Sequence, residues 1–171
     1  MQFRFRPLER GDLPLMHRWL GLSHVAEWWG RAPTLAEVEK EYGEYIDGVE
    51  PIRAFLAYAD DAPIGHLQFA RYRDYEWYAR ILGIEELDAV NCDVFIGEER
   101  FLHRGLGAPM LRAFVDEIIF ADPSTPTCFI DPDARNRIAI RAYEKAGFRF
   151  VRHVADDGEG EPIHLMARRR H

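Results

Sequence analysis

Two glycines one residue apart, in the run Arg104-Gly105-Leu106-Gly107-Ala108-Pro109, stand between a short apolar stretch and the start of a helical pattern. Small residues let a backbone come close to a ligand. Free N–H groups at the positive end of a helix dipole then make an anion site. Pro109 sits early enough in the helix to remove no needed donor, and Arg104 adds a cation beside the same spot. The set suits a pyrophosphate. No Lys-Ser/Thr pair follows the second glycine, which excludes a nucleotide P-loop. No third glycine and no suitably placed acidic residue complete a dinucleotide fingerprint. Taken alone, the run fits a tight turn into a helix equally well.

A second group lies downstream. Asn136 and Tyr143 are seven residues apart, two helical turns, so they share one helix face. A polar side chain and a phenol along one edge suit a cleft; an amphipathic helix with incidental polar residues is the alternative. Asp93 stands inside an apolar strand pattern, where a buried carboxylate needs a partner. Cys92 and Cys128 lie in apolar stretches without ligand spacing and read as reduced core residues. The seven histidines show no metal-ligand spacing, so no metal is expected. His103, beside the glycine run, reads as a contact to phosphate or solvent.

These residues need elements to hold them. Residues 2–7 alternate as an opening strand. Asp12 is a plausible N-cap, with Pro14 in the first turn, and Leu13, Met16 and Leu20 follow at helical spacing. Thr34 and Glu37 have capping-box spacing ahead of Leu35, Val38, Tyr42, Tyr45 and Ile46. Residues 53–58 and 64–72 read as a hairpin across the turn at 60–63. The stretch 73–88 reads as irregular, aromatic and acidic. A strand at 89–96 leads to the glycine loop at 97–107. A helix from Leu106, a strand at 127–130, a helix at 135–146 stopping at Gly147, and strands near 148–154 and 162–167 complete the chain. This is a mixed α/β (α+β) pattern around a largely antiparallel sheet flanked by helices.

The chain has 171 residues, is 47% apolar and carries a net charge of −7. That length fits one domain spanning 1–171. The charge disfavours nucleic acid, whose binding needs a basic face, and favours a cationic small molecule. No apolar run suits a membrane span or a secretory signal, so the cytoplasm is the expected location. Monomer and homodimer both stay open.

From 89 to 148 the order is strand, Arg-Gly-x-Gly-Ala, helix, strand, then Asn136-x-x-Ala139-x-x-x-Tyr143-x-Lys145-x-Gly147-Phe148. This resembles the GCN5-related N-acetyltransferase (GNAT) superfamily. The resemblance implies acetyl-CoA as cosubstrate. Its pyrophosphate would lie on His103, Arg104, Gly105, Leu106, Gly107 and Ala108, and its pantetheine arm along Val94, Phe95 and Ile96. Asn136 would join the coenzyme side, and Tyr143 would face the thioester sulfur. The family often has Gln or Arg where this chain has Leu102. That position contributes mainly backbone donors.

The front half narrows the resemblance. His24-Val25-Ala26-Glu27-Trp28-Trp29-Gly30, Pro33-Thr34-Leu35, Pro63-Ile64-Gly65 with Gln68, and Asp131-Pro132 are similar to aminoglycoside 6′-N-acetyltransferases. That likeness implies Asp93 at the acceptor amine, as base, and a substrate wall of Glu27, Trp28, Trp29, Tyr42, Glu50, Gln68 and Asp131. A polycationic amino sugar needs such carboxylates and flat aromatic faces. The stretch 73–91 departs most from the family. It reads as a flexible acidic flap over the sugar or as a solvated loop packed on the sheet. The alternatives are an N-acyltransferase for a siderophore precursor or other small amine, and a non-catalytic acyl-CoA-binding regulatory domain.

Overall fold

The structure, a computed structural model, describes residues 2–155 and 162–170. In chain order it runs β1 (Phe3–Pro7), α1 (Leu13–Leu20), α2 (Ser23–Trp29), α3 (Leu35–Ile46), β2 (Arg53–Ala59), β3 (Ala62–Arg71), α4 (Glu76–Leu82), β4 (Val90–Ile96), α5 (Gly107–Phe114), β5 (Thr127–Ile130), α6 (Arg137–Lys145), β6 (Arg149–Val154) and β7 (Ile163–Arg169). The turn after α5, Val115–Ile119, widens into π-helix. The strands hydrogen-bond in the order β1-β2-β3-β4-β5-β7-β6. Strands β1 and β2, β5 and β7, and β6 and β7 pair antiparallel. Strands β4 and β5 pair in parallel, with Val90 opposite Cys128. A parallel pair needs a crossover, and α5 supplies it. The mixed, mainly antiparallel α/β class expected from the pattern is therefore present. Among the described residues no helix is long and apolar enough to cross a membrane.

The chain folds as two compact units, one of Met1–Gln68 with Val94–Arg104 and one of Phe69–Asp93 with Gly105–His171. In the first, Leu13, Met16, Trp19 and Leu20 of α1 pack with Val38 and Tyr42 of α3 and with Leu56 of β2. The i, i+3, i+4 spacing of α1 puts these four on one face. The capping box of α3 forms as expected: the Glu37 N–H donates to Thr34 Oγ1 at 3.3 Å and the Thr34 N–H to Glu37 Oε2 at 2.7 Å. Asp12 departs from expectation. It occupies the N-cap position of α1 without a side-chain cap bond, because its carboxylate accepts the Glu9 N–H at 2.8 Å and the Arg6 guanidinium at 2.7 Å.

Two glycines in this unit permit close approaches. A Cβ on Gly65 of β3 would lie 2.2 Å from the Phe95 carbonyl of β4, and one on Gly97 would lie 2.2 Å from the Trp19 ring. Trp19 is fully buried, packs edge-on to Phe95 at 6.2 Å and donates its indole N–H to Glu98 Oε1 at 2.9 Å.

The second unit buries Tyr72, Ala79 and Leu82 against Phe129 of β5 and Leu165 of β7. Its α4 corrects the reading of 73–88 as irregular. The helix ends at Gly83, whose φ of 68° is the left-handed C-terminal stop. The other element missing from the sequence reading, α2, is the seven-residue run that holds Glu27, Trp28 and Trp29.

Candidate active site

The glycine run bridges β4 and α5. His103 and Gly105 adopt φ of 57° and 72°, two left-handed residues that turn the chain sharply before the helix. A Cβ on Gly105 would meet nothing within 4 Å, so its requirement is conformational, not steric. Gly107 faces the Ala142 side chain of α6, a hypothetical Cβ lying 3.8 Å away. Leu106 is the N-cap residue of α5. The first backbone donor inside α5 is Met110, whose N–H reaches the Leu106 carbonyl at 3.0 Å. The N–H groups of Gly107 and Ala108 ahead of it stand at the positive end of the helix. His103 and Arg104 are exposed.

In the second unit, β4, β5 and α6 bring Asp93, Asp131 and Tyr143 into one electrostatic neighbourhood. Tyr143 is half-buried. Desolvation raises its phenol pKa above the usual value, and Cys92, Asp93 and Asp131 raise it further. At neutral pH it is therefore an O–H. Cys92 and Cys128 are buried free thiols, as expected from the sequence. The Cys92 thiol is pushed up by its hydrogen bond with Cys128 and by burial, which leaves it unreactive. Asn136, expected inside a helix from 135, instead stands just ahead of α6 with a non-helical ψ of 66° and caps it: its Oδ1 accepts the Ala139 N–H at 3.1 Å, and its Nδ2 donors are not used in that bond.

Asp131 is the most heavily engaged carboxylate of this group. Its Oδ2 accepts the Tyr78 hydroxyl of α4. Its Oδ1 accepts the Asn91 amide of β4 at 3.1 Å, and the Tyr72 hydroxyl donates to Asn91 Oδ1 at 2.9 Å. Burial raises the Asp131 carboxyl pKa, while the bonds from Tyr78 and Asn91 work against that rise. Burial also raises both phenols. Sequence reasoning missed Tyr72, Tyr78 and Asn91 as partners. No local signal marks them: the bonds of Tyr78 and Asn91 to Asp131 join segments 53 and 40 residues apart in the chain.

In the first unit, Trp29 of α2, Tyr42 of α3 and Phe95 of β4 gather around His66 of β3. Trp29 and Phe95 meet edge-to-face at 4.8 Å, and His66 lies 5.6 Å from Tyr42 and 5.5 Å from Phe95. Gln68 Oε1 bonds His66 Nε2 at 3.1 Å. Burial lowers the His66 pKa to about 4, overcoming the opposing effects of Gln68 and the Phe55 backbone. His66 was not singled out in the sequence; a histidine within Pro63-Ile64-Gly65-His66-Leu67 is the visible oddity. Val94, Phe95 and Ile96 are half-buried, and the Ile96 carbonyl takes the His24 imidazole at 3.0 Å. Of the other expected wall residues, Glu27 and Trp28 are exposed and Glu50 is half-buried. Among the described residues no group of three or more His, Cys, Asp or Glu could hold a metal ion.

Chemically, the second unit combines an anion-accepting helix start, a carboxylate beside a protonated phenol, and a second carboxylate held by donors. These are the parts needed to position an anionic carrier, remove a proton from a nucleophile and reprotonate a leaving group.

Residues 9–155 match the family model described as "Acetyltransferase (GNAT) domain". The chain is 35% identical over 150 residues to aminoglycoside N(6′)-acetyltransferase type 1 of Klebsiella pneumoniae, covering 84% of this chain and 72% of that one. It is 26% identical over 155 residues to lysine N-acyltransferase MbtK of Mycolicibacterium paratuberculosis, covering 87% and 66%. Among solved structures it is similar to aminoglycoside acetyltransferase AAC(6′)-Ib in complex with coenzyme A and kanamycin, with a TM-score of 0.83, 30% identity, and coverage of 99% of this chain and 95% of that one.

Proposed function

The chain belongs to the GNAT acetyltransferase family, and from that premise we propose that it transfers the acetyl group of acetyl-CoA to the 6′-amine of an aminoglycoside. The observation that carries this reading is the neighbourhood of Asp93, Asp131 and the neutral phenol of Tyr143 on β4, β5 and α6. The residues fit the donor. The turn at 103–106 and the N–H groups that open α5 suit its pyrophosphate, and the exposed Arg104 adds a cation. Val94, Phe95 and Ile96 would lie along the pantetheine. The Asn136 Nδ2, spared by the helix cap, is its donor on that side.

The acceptor is a polycation. Asp93 takes the proton that its ammonium must lose. The freed amine attacks the thioester carbonyl carbon, a C–N bond forms and the C–S bond breaks. The Tyr143 hydroxyl gives its proton to the departing thiolate and is restored by the second proton that the nitrogen loses as the amide forms. Asp131 holds a second ammonium group. Trp29 and Gln68, beside His66 and Phe95, would form one wall for the sugar rings, with Tyr42, buried in the core, backing that wall instead of touching the sugar as the resemblance implied, and with Glu27, Trp28 and Glu50 as additional contacts. Holding both reactants in line supplies a large share of the rate enhancement.

The test is thiol release from acetyl-CoA by purified protein with kanamycin, and mass and NMR analysis of the product for 6′-N-acetylation. Release with a lysine-derived amine and none with kanamycin would replace this acceptor by that of the second reading, which the likeness to a lysine N-acyltransferase favours. A protein that consumes no thioester with any amine would be the non-catalytic acyl-CoA binder instead.

A further inference from the structure

The proposed catalytic step uses Asp93 and Tyr143. It does not use Tyr72, Tyr78 or Asn91, which nevertheless form a connected chain ending on Asp131. Tyr72 donates to Asn91, Asn91 donates to one oxygen of Asp131, and Tyr78 donates to the other. A carboxylate has about four lone-pair directions; Tyr78, Asn91 and the Asp131 backbone N–H take three of them, which fixes its plane and leaves one direction for a further donor. An ammonium group arriving there meets an acceptor already oriented.

We propose that Tyr78 and Asn91 are positioning residues for the acceptor, holding the Asp131 carboxylate ionised and aimed at a second ammonium group of a polycationic amine. This rests on the reading of Asp131 as a substrate carboxylate, and it adds a task for α4: the segment that departs most from the family supplies the donor that sets that carboxylate.

The electrostatics agree with the geometry. Burial works against the charged form of Asp131, and the hydrogen bonds from Tyr78 and Asn91 work for it. The titratable groups around it are the Tyr78 phenol of α4, the Tyr72 phenol just after β3, Cys92 and Asp93 of β4, Cys128 of β5 and Tyr143 of α6. From β7, the His164 N–H bonds the neighbouring Pro132 carbonyl, and the His164 imidazole pairs with His153 at 3.0 Å. No cation among these takes over if a donor is lost. Removing Tyr78 or Asn91 therefore moves Asp131 toward its protonated, neutral form, and the loss grows as pH falls.

The experiment compares wild type, Tyr78→Phe and Asn91→Ala with two acceptors: kanamycin, and 6-amino-6-deoxyglucose, which carries a single amine. With kanamycin, each variant raises KM roughly tenfold or more, as loss of a charge-assisted bond implies. The kcat and the acetyl-CoA KM stay within about twofold, and the acid limb of kcat/KM moves to higher pH. The single-amine sugar, with no second ammonium for Asp131, shows no change. In an Asp131→Asn background the same substitutions add nothing. Separately, 13C NMR of the Asp131 carboxyl in the unliganded protein shows its titration midpoint rising by about one unit in Tyr78→Phe, a tenfold change in proton affinity. An unchanged kanamycin KM, or a rise that persists in Asp131→Asn, overturns the proposal. So does an unmoved Asp131 titration in both Tyr78→Phe and Asn91→Ala, two variants checked for native melting. If wild type acetylates no amino sugar at all, the acceptor reading fails, and the NMR titration still decides whether Tyr78 and Asn91 govern Asp131.

Discussion

A carboxylate can act as base toward an ammonium group only while it is charged, and a phenol can act as acid only while it holds its proton. The neighbourhood of β4, β5 and α6 supplies the second condition directly, since burial and nearby Asp93 and Asp131 keep Tyr143 protonated. Asp93→Asn is expected to lower kcat by about two to four orders of magnitude, read by thiol release under saturating donor. Near-normal turnover would remove the base role. Tyr143→Phe should lower kcat while leaving the Kd for acetyl-CoA, from calorimetry, nearly unchanged; a weakened Kd at constant kcat would reassign the residue to binding. His66 gives a prediction of a different kind. Its folded pKa, about 4, lies below its ordinary 6.5, so the unfolded chain binds more protons between those values. The stabilisation is complete above about pH 6.5 and is lost as pH falls toward 4. Across that window it amounts to about 3 kcal/mol. Urea unfolding of wild type and His66→Gln at several pH values checks this: the two stability curves should converge toward pH 4, and parallel curves would exclude the effect.

At the level of elements, function depends on how closely neighbouring backbones approach. Gly65 brings β3 against the Phe95 carbonyl of β4, with no room for a Cβ. Gly65→Ala is expected to cost about 3 kcal/mol and to disturb Phe95 and the wall around His66, visible as a lower melting temperature together with a raised acceptor KM. A neutral outcome would mean the two strands separate without penalty. The same scale shows what a sequence can and cannot reveal. The α3 start was legible because a capping box has fixed spacing and a single geometry. The glycine run was legible as a turn into a helix, while Asn136, read inside a helix from 135, is the residue that caps α6. Helix α4 was not, since seven residues with two buried side chains give too short a period to separate from a loop; Gly83, a left-handed stop, was the available clue. The Asp131 partners were illegible because hydrogen bonds from Tyr78 and Asn91 span 53 and 40 residues of chain, and no local pattern encodes such pairing. Asp12 was read as a cap from its position alone, while the positions of Arg6 and the Glu9 N–H decided where its oxygens went.

For the molecule as a whole, 22 Lys and Arg against 29 Asp and Glu leave a net charge of −7. An anionic protein attracts a polycation at distances beyond contact, and dissolved salt screens that attraction. For kanamycin, kcat/KM should therefore fall several-fold between roughly 20 and 300 mM salt, much more steeply than for a single-amine sugar. Equal slopes for the two would show that the overall charge does not steer the acceptor. The anionic donor must approach the same acidic surface, which makes local cations such as Arg104 and the helix-end N–H groups more important than they would be on a neutral protein.

The indole of Trp19 lies flat against the missing side chain of Gly97, edge-on to Phe95 and shielded from solvent. Two of the other three tryptophans, Trp28 and Trp77, are open to water at 41% and 62% exposure. Iodide would therefore extinguish their emission first and leave a blue component dominated by the sheltered ring. Because that ring touches the strand proposed to lie along the pantetheine, its spectrum would shift as coenzyme A binds. The protein thus carries its own dye for a titration that needs no label and no turnover.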